Sequence, residues 1–143
     1  MSLFDTLNKA KMDKLQQNLE AGQKFLEENK KRPEVQETPS GLQYEVITMG
    51  DGPKPSALHT VTCHYHGMLM DGRVFDSSVQ RGQPASFPLN RVISGWTEAL
   101  QLMPLGSKRK LFLAPHLAYG EQHAGPLIAP NSTLIFEVEL LAF

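Results

Sequence analysis

Five aromatic side chains, Tyr65, Phe75, Trp96, Tyr119 and Phe136, come from five separate segments, and a carboxylate, Asp76, directly follows Phe75. Taken singly, each aromatic reads as core. Tyr119 lies in a stretch punctuated by Pro115, Gly120, Gly125, Pro126 and Pro130. Together the six residues read as the wall of an apolar cavity with a few placed polar groups, the usual form of a small-ligand site. Such a wall can bind a small apolar group and keep water away. Covalent and metal chemistry have little else to work with. His64 and His66 share one strand face at i, i+2, a spacing able to grip a metal, but a solvated sheet face is the better reading. Cys63 has no activating neighbour and reads as a small hydrophobe. No phosphate-binding glycine motif, Gly-x-Ser-x-Gly elbow or His-Glu-x-x-His pair occurs. Neither a metal site nor a cofactor is expected.

Elements must position these side chains, and the sequence has two segments of different periodicity. Residues 1 to about 32 contain no proline and one glycine. Met12, Leu15, Leu19 and Leu26, with Gly22 in the remaining seam position, make a thin helical stripe. Seven basic and seven acidic residues up to Glu37 cancel. A lone helix of this size is marginal in water, so the stripe is expected to pack on this domain or on a second copy. Pro33 and the TPSG stretch, residues 38 to 41, end it. The division is a helical extension and linker over 1–37 and a second domain over 38–143.

From Leu42 onward the period is two. LQYEVI alternates, and in TVTCHYHGML Val61, Cys63 and Tyr65 face one way, Thr62, His64 and His66 the other. An Asp-Gly turn leads into RVFDSS as the return strand. KRKLFLA and LIFEVELLAF add two more strands, the latter with Glu137 and Glu139 outward. Ahead of both, VISGWTEALQLMPLG reads as one short helix with Trp96, Ala99, Leu100 and Met103 on its apolar face, Ser94 as N-cap and Pro104 with Gly106 as its stop. The fold class is α+β: a twisted antiparallel sheet wrapped on one short helix, with an N-terminal helical extension.

Composition sets the outer bounds. A chain of 143 residues at 41% hydrophobic content holds material for one ordinary domain plus an extension. A net charge of −1 gives no field toward nucleic acid or an anionic membrane. No apolar run approaches the roughly 18 residues that span a bilayer. The polar, lysine-interrupted start and the single cysteine suit a cytoplasmic location, or a periplasmic one if a signal was removed.

The blocks HYHGMLMDGRVFDSSVQRGQPASFPL, VISGWTEALQLMPLGSK, LAYG and TLIFEVELL, in that order, resemble the FKBP-type peptidyl-prolyl cis/trans isomerases. The resemblance covers about residues 38–143. SGLQYEVI and the helix before it are similar to the bacterial macrophage-infectivity-potentiator branch. By that resemblance, the reaction is non-covalent rotation of X–Pro bonds in proline-containing polypeptide substrates during protein folding. Tyr65, Phe75, Asp76, Ile93, Trp96, Tyr119 and Phe136 would form the catalytic pocket, with Trp96 flooring the proline ring. Phe87, Val92, Leu127 and Ile128 would bind substrate. Tacrolimus- and rapamycin-type macrolides are the implied inhibitors, and the N-terminal helix the implied homodimer contact. Ala85 and Ala124 depart from the better-known single-domain members and bear on macrolide affinity. The alternative from another class is a non-catalytic peptide-binding or chaperone module.

Overall fold

Alternation along TVTCHYHGML makes that stretch the strand around which the others assemble. The computed structural model describes residues 2–143. Its elements are α1 (Leu3–Asn29), β1 (Val35–Glu37), β2 (Gln43–Thr48), β3 (Thr60–Leu69), β4 (Val74–Ser77), α2 (Ser78–Arg81), β5 (Ala85–Pro88), α3 (Ser94–Gln101), β6 (Lys108–Leu113) and β7 (Leu134–Ala142). The strands form one antiparallel sheet in the order β1-β2-β6-β7-β3-β4. β5 pairs with the opening residues of β3, from Thr60 to Cys63.

One face of this sheet carries the core. Val61 and Cys63 of β3, Leu111 and Leu113 of β6, and Val138 and Leu140 of β7 pack there against Trp96, Ala99 and Leu100 of α3. Met103 lies past the end of α3 yet is fully buried in the same cluster. Ser94 does not cap the helix. Ile93 holds the N-cap position, its carbonyl accepts from Trp96 and Thr97 N–H, and Ser94 Oγ instead donates to His116 O at 3.4 Å.

The opposite face of the sheet is covered too, by α1. Phe25 lies 6.1 Å from Phe112, centroid to centroid, and Gln43 Nε2 donates to Leu26 O at 3.0 Å. Asn29 Nδ2 donates to Gln43 Oε1 at 2.9 Å. The C-terminal half of the apolar stripe is therefore used within the chain. Gly22 lets the helix approach closely: a Cβ there would sit 2.2 Å from Thr133 Oγ1. Its place in the seam reflects a need for room.

Two strands escape the sequence reading. β1 is three residues long with two of them exposed, and β5 carries Pro88 on an edge position. Neither has enough alternation to register, because edge pairing rests on backbone hydrogen bonds. β1 falls inside the stretch read as linker, so residues 35–37 sit in the sheet.

Gly22→Ala tests the α1 contact. Alanine favours an exposed helix by about 0.8–1 kcal/mol over glycine, but overpacking against Thr133 should cost about 1–3 kcal/mol. The expected result is lower urea stability and faster proteolysis within α1; a more stable protein would show that the helix does not pack this closely.

Candidate active site

The cavity is built outward from Trp96. Its position in the first turn of α3 points the indole at the sheet, where it is 4% exposed. Tyr65, Phe87 and Phe136 meet it edge to face, with centroids at 5.4, 5.5 and 5.4 Å. Phe75 packs on Phe136 in the same way at 5.5 Å. Such geometry sets positive ring edges against negative faces and adds about 0.5–1.5 kcal/mol per pair beyond area burial. Gly67 makes the last pair fit, since a Cβ there would fall 2.7 Å from Phe75 and 2.9 Å from Phe136.

Over this floor opens a cavity of about 310 Å³ lined by Tyr65, Phe75, Asp76, Phe87, Arg91, Val92, Ile93, Trp96, Tyr119 and Phe136. Polar groups ring it sparsely. Tyr65 Oη donates to Asp76 Oδ2 at 2.7 Å, and Arg81 Nη2 donates to Tyr65 Oη at 2.9 Å. Arg81 also forms an ion pair with Asp76. Ile93 holds α3 by its carbonyl, while its N–H is engaged by no group among the described residues. Tyr119 is 39% exposed at the rim.

Charge in this triad is settled by its neighbours. Burial works against ionisation of Asp76, but the Tyr65 and Arg81 hydrogen bonds outweigh it and hold the carboxyl below its usual range. Burial pushes the Tyr65 hydroxyl up, and its bond to Asp76 adds to that. Burial likewise raises Tyr119, helped by the charge of Asp76. At neutral pH both phenols are donors and Asp76 is a fixed anion, poorly suited to taking a proton.

Nine residues read from the sequence meet in this cavity. Leu127 and Ile128 do not. Ala124 and Ile128 form a bridge around a tight tip, so adjacent side chains turn opposite ways. Ile128 goes into the core at 5% exposure. Leu127 turns outward and lines a separate cleft against Lys14 and Asn18 of α1. Arg81, Arg91 and Gly67 were not anticipated. Arg81 had a faint signal: Ser77 caps the single turn of α2 by accepting from Gln80 N–H at 3.1 Å, which returns Arg81 to Asp76. Arg91 sits on a short turn and had none.

Comparison with known proteins follows the same lines. The model of the FKBP-type peptidyl-prolyl cis-trans isomerase family matches residues 52–141, and that of the domain amino-terminal to it matches residues 1–46. The chain belongs to the FKBP-type isomerase family. It is 56% identical over 140 residues to the FKBP-type peptidyl-prolyl cis-trans isomerase FkpA of Aeromonas hydrophila, covering 97% of this chain and 52% of that protein. With the FKBP-type 22 kDa isomerase of Escherichia coli it shares 58% identity over 120 residues, covering 84% of this chain and 58% of that one. The chain thus spans about half the length of the curated relatives it matches. In structure it resembles Escherichia coli FkpA with a TM-score of 0.88 at 42% identity, over 94% of this chain and 62% of that one. A peptidyl-prolyl cis-trans isomerase from Pseudomonas syringae gives 0.83 at 44% identity, over 89% and 93%. The cytoplasmic location expected from the sequence is not supported: a relative from Legionella longbeachae, 49% identical over 129 residues, is named an outer membrane protein. A compartment outside the cytoplasm is compatible with this chain, whose one thiol is buried and free.

The triad predicts a flat pH profile. With Asp76 lowered from 3.8, its folded-state contribution is present above the unfolded value and lost as pH falls through the folded one. Tyr65, raised above 10.0, stays neutral until strongly alkaline pH. Ligand affinity should vary little between about pH 5 and 9; a bell-shaped profile centred in that window would refute this assignment of charges.

Proposed function

We propose that this chain accelerates cis/trans exchange at X–Pro bonds of polypeptides by enclosing the proline ring in the Trp96 cavity, with no covalent intermediate. The supporting observation is the convergence of an aromatic floor with two outward donors, Ile93 N–H and Tyr119 Oη, around a carboxylate already paired with Arg81. X–Pro exchange is slow because resonance gives the C–N bond partial double-bond character, a barrier of about 18–20 kcal/mol. A twisted amide loses that resonance and its charge separation, so it tolerates dry, apolar surroundings better than the planar form. A preorganised apolar cavity therefore favours the rotating state. Moving from exchange in tens to hundreds of seconds to roughly 10–1,000 turnovers per second takes about 3–7 kcal/mol. Packing and two hydrogen bonds act on that scale.

Each residue then has a role. Trp96 floors the ring; Tyr65, Phe75, Phe87 and Phe136 wall it. Ile93 N–H and the Tyr119 hydroxyl hold flanking substrate carbonyls. Asp76 keeps Tyr65 in place and presents a fixed negative charge to the twisted carbonyl carbon. Macrolides of the tacrolimus and rapamycin type would compete for the same floor. A non-catalytic peptide-binding module is the rival; domains of that kind lose pocket residues, whereas here the aromatic set lines one cavity with Asp76.

A short X–Pro peptide followed by NMR exchange or a protease-coupled assay decides between them. Folded protein that binds peptide without speeding exchange would leave only the binding module. Trp96→Leu should lower kcat/KM by about tenfold or more, ~1.4 kcal/mol of transition-state stabilisation. Leu140→Ala, fully buried on the same core face, should cost about 2–5 kcal/mol of stability instead, with kcat/KM of the folded protein nearly unchanged. The single tryptophan should also change its fluorescence when a macrolide is added.

We further propose that α1 joins two copies. Leu3, Phe4 and Leu7 share one side of its first turns at 76%, 76% and 61% exposure, while the stripe further along packs on the sheet. Phe4→Glu with Leu7→Glu should shift sedimentation from dimer to monomer and leave exchange on short peptides intact; unchanged sedimentation would remove α1 from the interface.

A further inference from the structure

The loop from Ala114 to Thr133 reaches the cavity at Tyr119 and reaches α1 at its other end. Asn131 stands where the two meet. It is the one non-glycine residue among those described with positive φ, at 59°, and is 9% exposed. An L-residue in that region is strained unless its side chain gains something, and asparagine tolerates it best. Here both the backbone and the side chain of Asn131 are used. Its N–H donates to Gly120 O at 2.7 Å, closing the loop immediately behind Tyr119. Its Nδ2 donates to Leu15 O of α1 at 3.2 Å. Next to it, Asn18 Nδ2 of α1 donates to Pro130 O at 2.9 Å. Two successive loop residues are thus held by two asparagine bonds to one stretch of α1. Glycine would satisfy the backbone without strain, so the geometry favours asparagine for the reach of its amide.

We propose that Asn131 and Asn18 are positioning residues: they tether the Tyr119 loop to α1, so that the helix outside the cavity fixes the hydroxyl at its rim. Tyr119 itself is half-exposed and makes no side-chain hydrogen bond among the described residues. Its place depends on the backbone on either side of it. On one side the 3-10 turn Pro115–Leu117 anchors it, with Gly120 N–H donating back to Pro115 O at 2.9 Å. On the other side, Asn131 N–H is the one group among the described residues that donates to Gly120 O. The inference rests on the reading of Tyr119 as a substrate donor.

A double-mutant cycle in the full chain tests it. Asn131→Gly removes the tether and relieves the strain; Asn18→Ala removes the second bond without touching the loop. Each should lower kcat/KM on an X–Pro peptide by about three- to tenfold, the range typical of coupling through such contacts. Both losses should vanish in a Tyr119→Phe background, which a purely structural role would not produce. Losses that persist in that background, or no loss from either asparagine variant while Tyr119→Phe is impaired, overturn the tether. Full activity in Tyr119→Phe alone overturns the reading of Tyr119 and the tether with it. If Asn131→Gly fails to fold, Asn18→Ala carries the same test from the helix side.

Discussion

The indole of Trp96 is both the floor of the cavity and a keystone of the core. Edge-to-face contacts to Tyr65, Phe87 and Phe136 tie α3 to three different strands through one side chain. A ring held on three sides cannot turn away to fill its own cavity, so the space above it stays open. The cavity is thus a consequence of the same packing that stabilises the sheet on its helix. Gly67 shows how fine the fit is: the rings of Phe75 and Phe136 occupy the volume where any other residue would place its Cβ.

The polar groups around this floor are few and already committed. Asp76 is bound by Tyr65 and Arg81, which keeps it ionised in spite of partial burial. A bare carboxylate at an apolar wall would invite water or a proton, and either would spoil the apolar surface beside it. Pairing removes both problems while leaving two donors at the cavity, Ile93 N–H and the Tyr119 hydroxyl, without a partner among the described residues. The division is between groups that hold one another and groups that can hold a substrate.

Helix α1 adds a third layer. The C-terminal half of its stripe packs on the face of the sheet opposite α3, with Gly22 permitting contact close enough to bury Asn29 and Gln43 in a shared hydrogen bond. Because the same helix is bonded to Pro130 and Asn131, one element touches the sheet and the loop that carries Tyr119. The first turns of α1 have no such partners among the described residues. A single helix therefore faces two ways, inward to the loop and outward through Leu3, Phe4 and Leu7.

The sequence by itself determined the class of the fold and the kind of site. Period-two alternation in residues 60–69 and 134–140 names two central strands, because burial on one face forces every second side chain to be apolar. Trp96, Ala99 and Leu100 name the covering helix for the matching reason at period 3.6. Aromatics from five segments with one carboxylate implied an apolar cavity, and the order of their blocks implied a family. What only the tertiary structure decided depends on contacts between residues far apart. Edge strands β1 and β5 are held by backbone hydrogen bonds, which leave no mark on side-chain pattern. Leu127 and Ile128 are adjacent and equally apolar, and the direction each faces is fixed by a bridge within the loop. Arg81 finds Asp76 through one short turn, and Asn131 finds Leu15 across more than a hundred residues. Periodicity records which face of an element is buried; it holds no information about which distant atom lies on the other side.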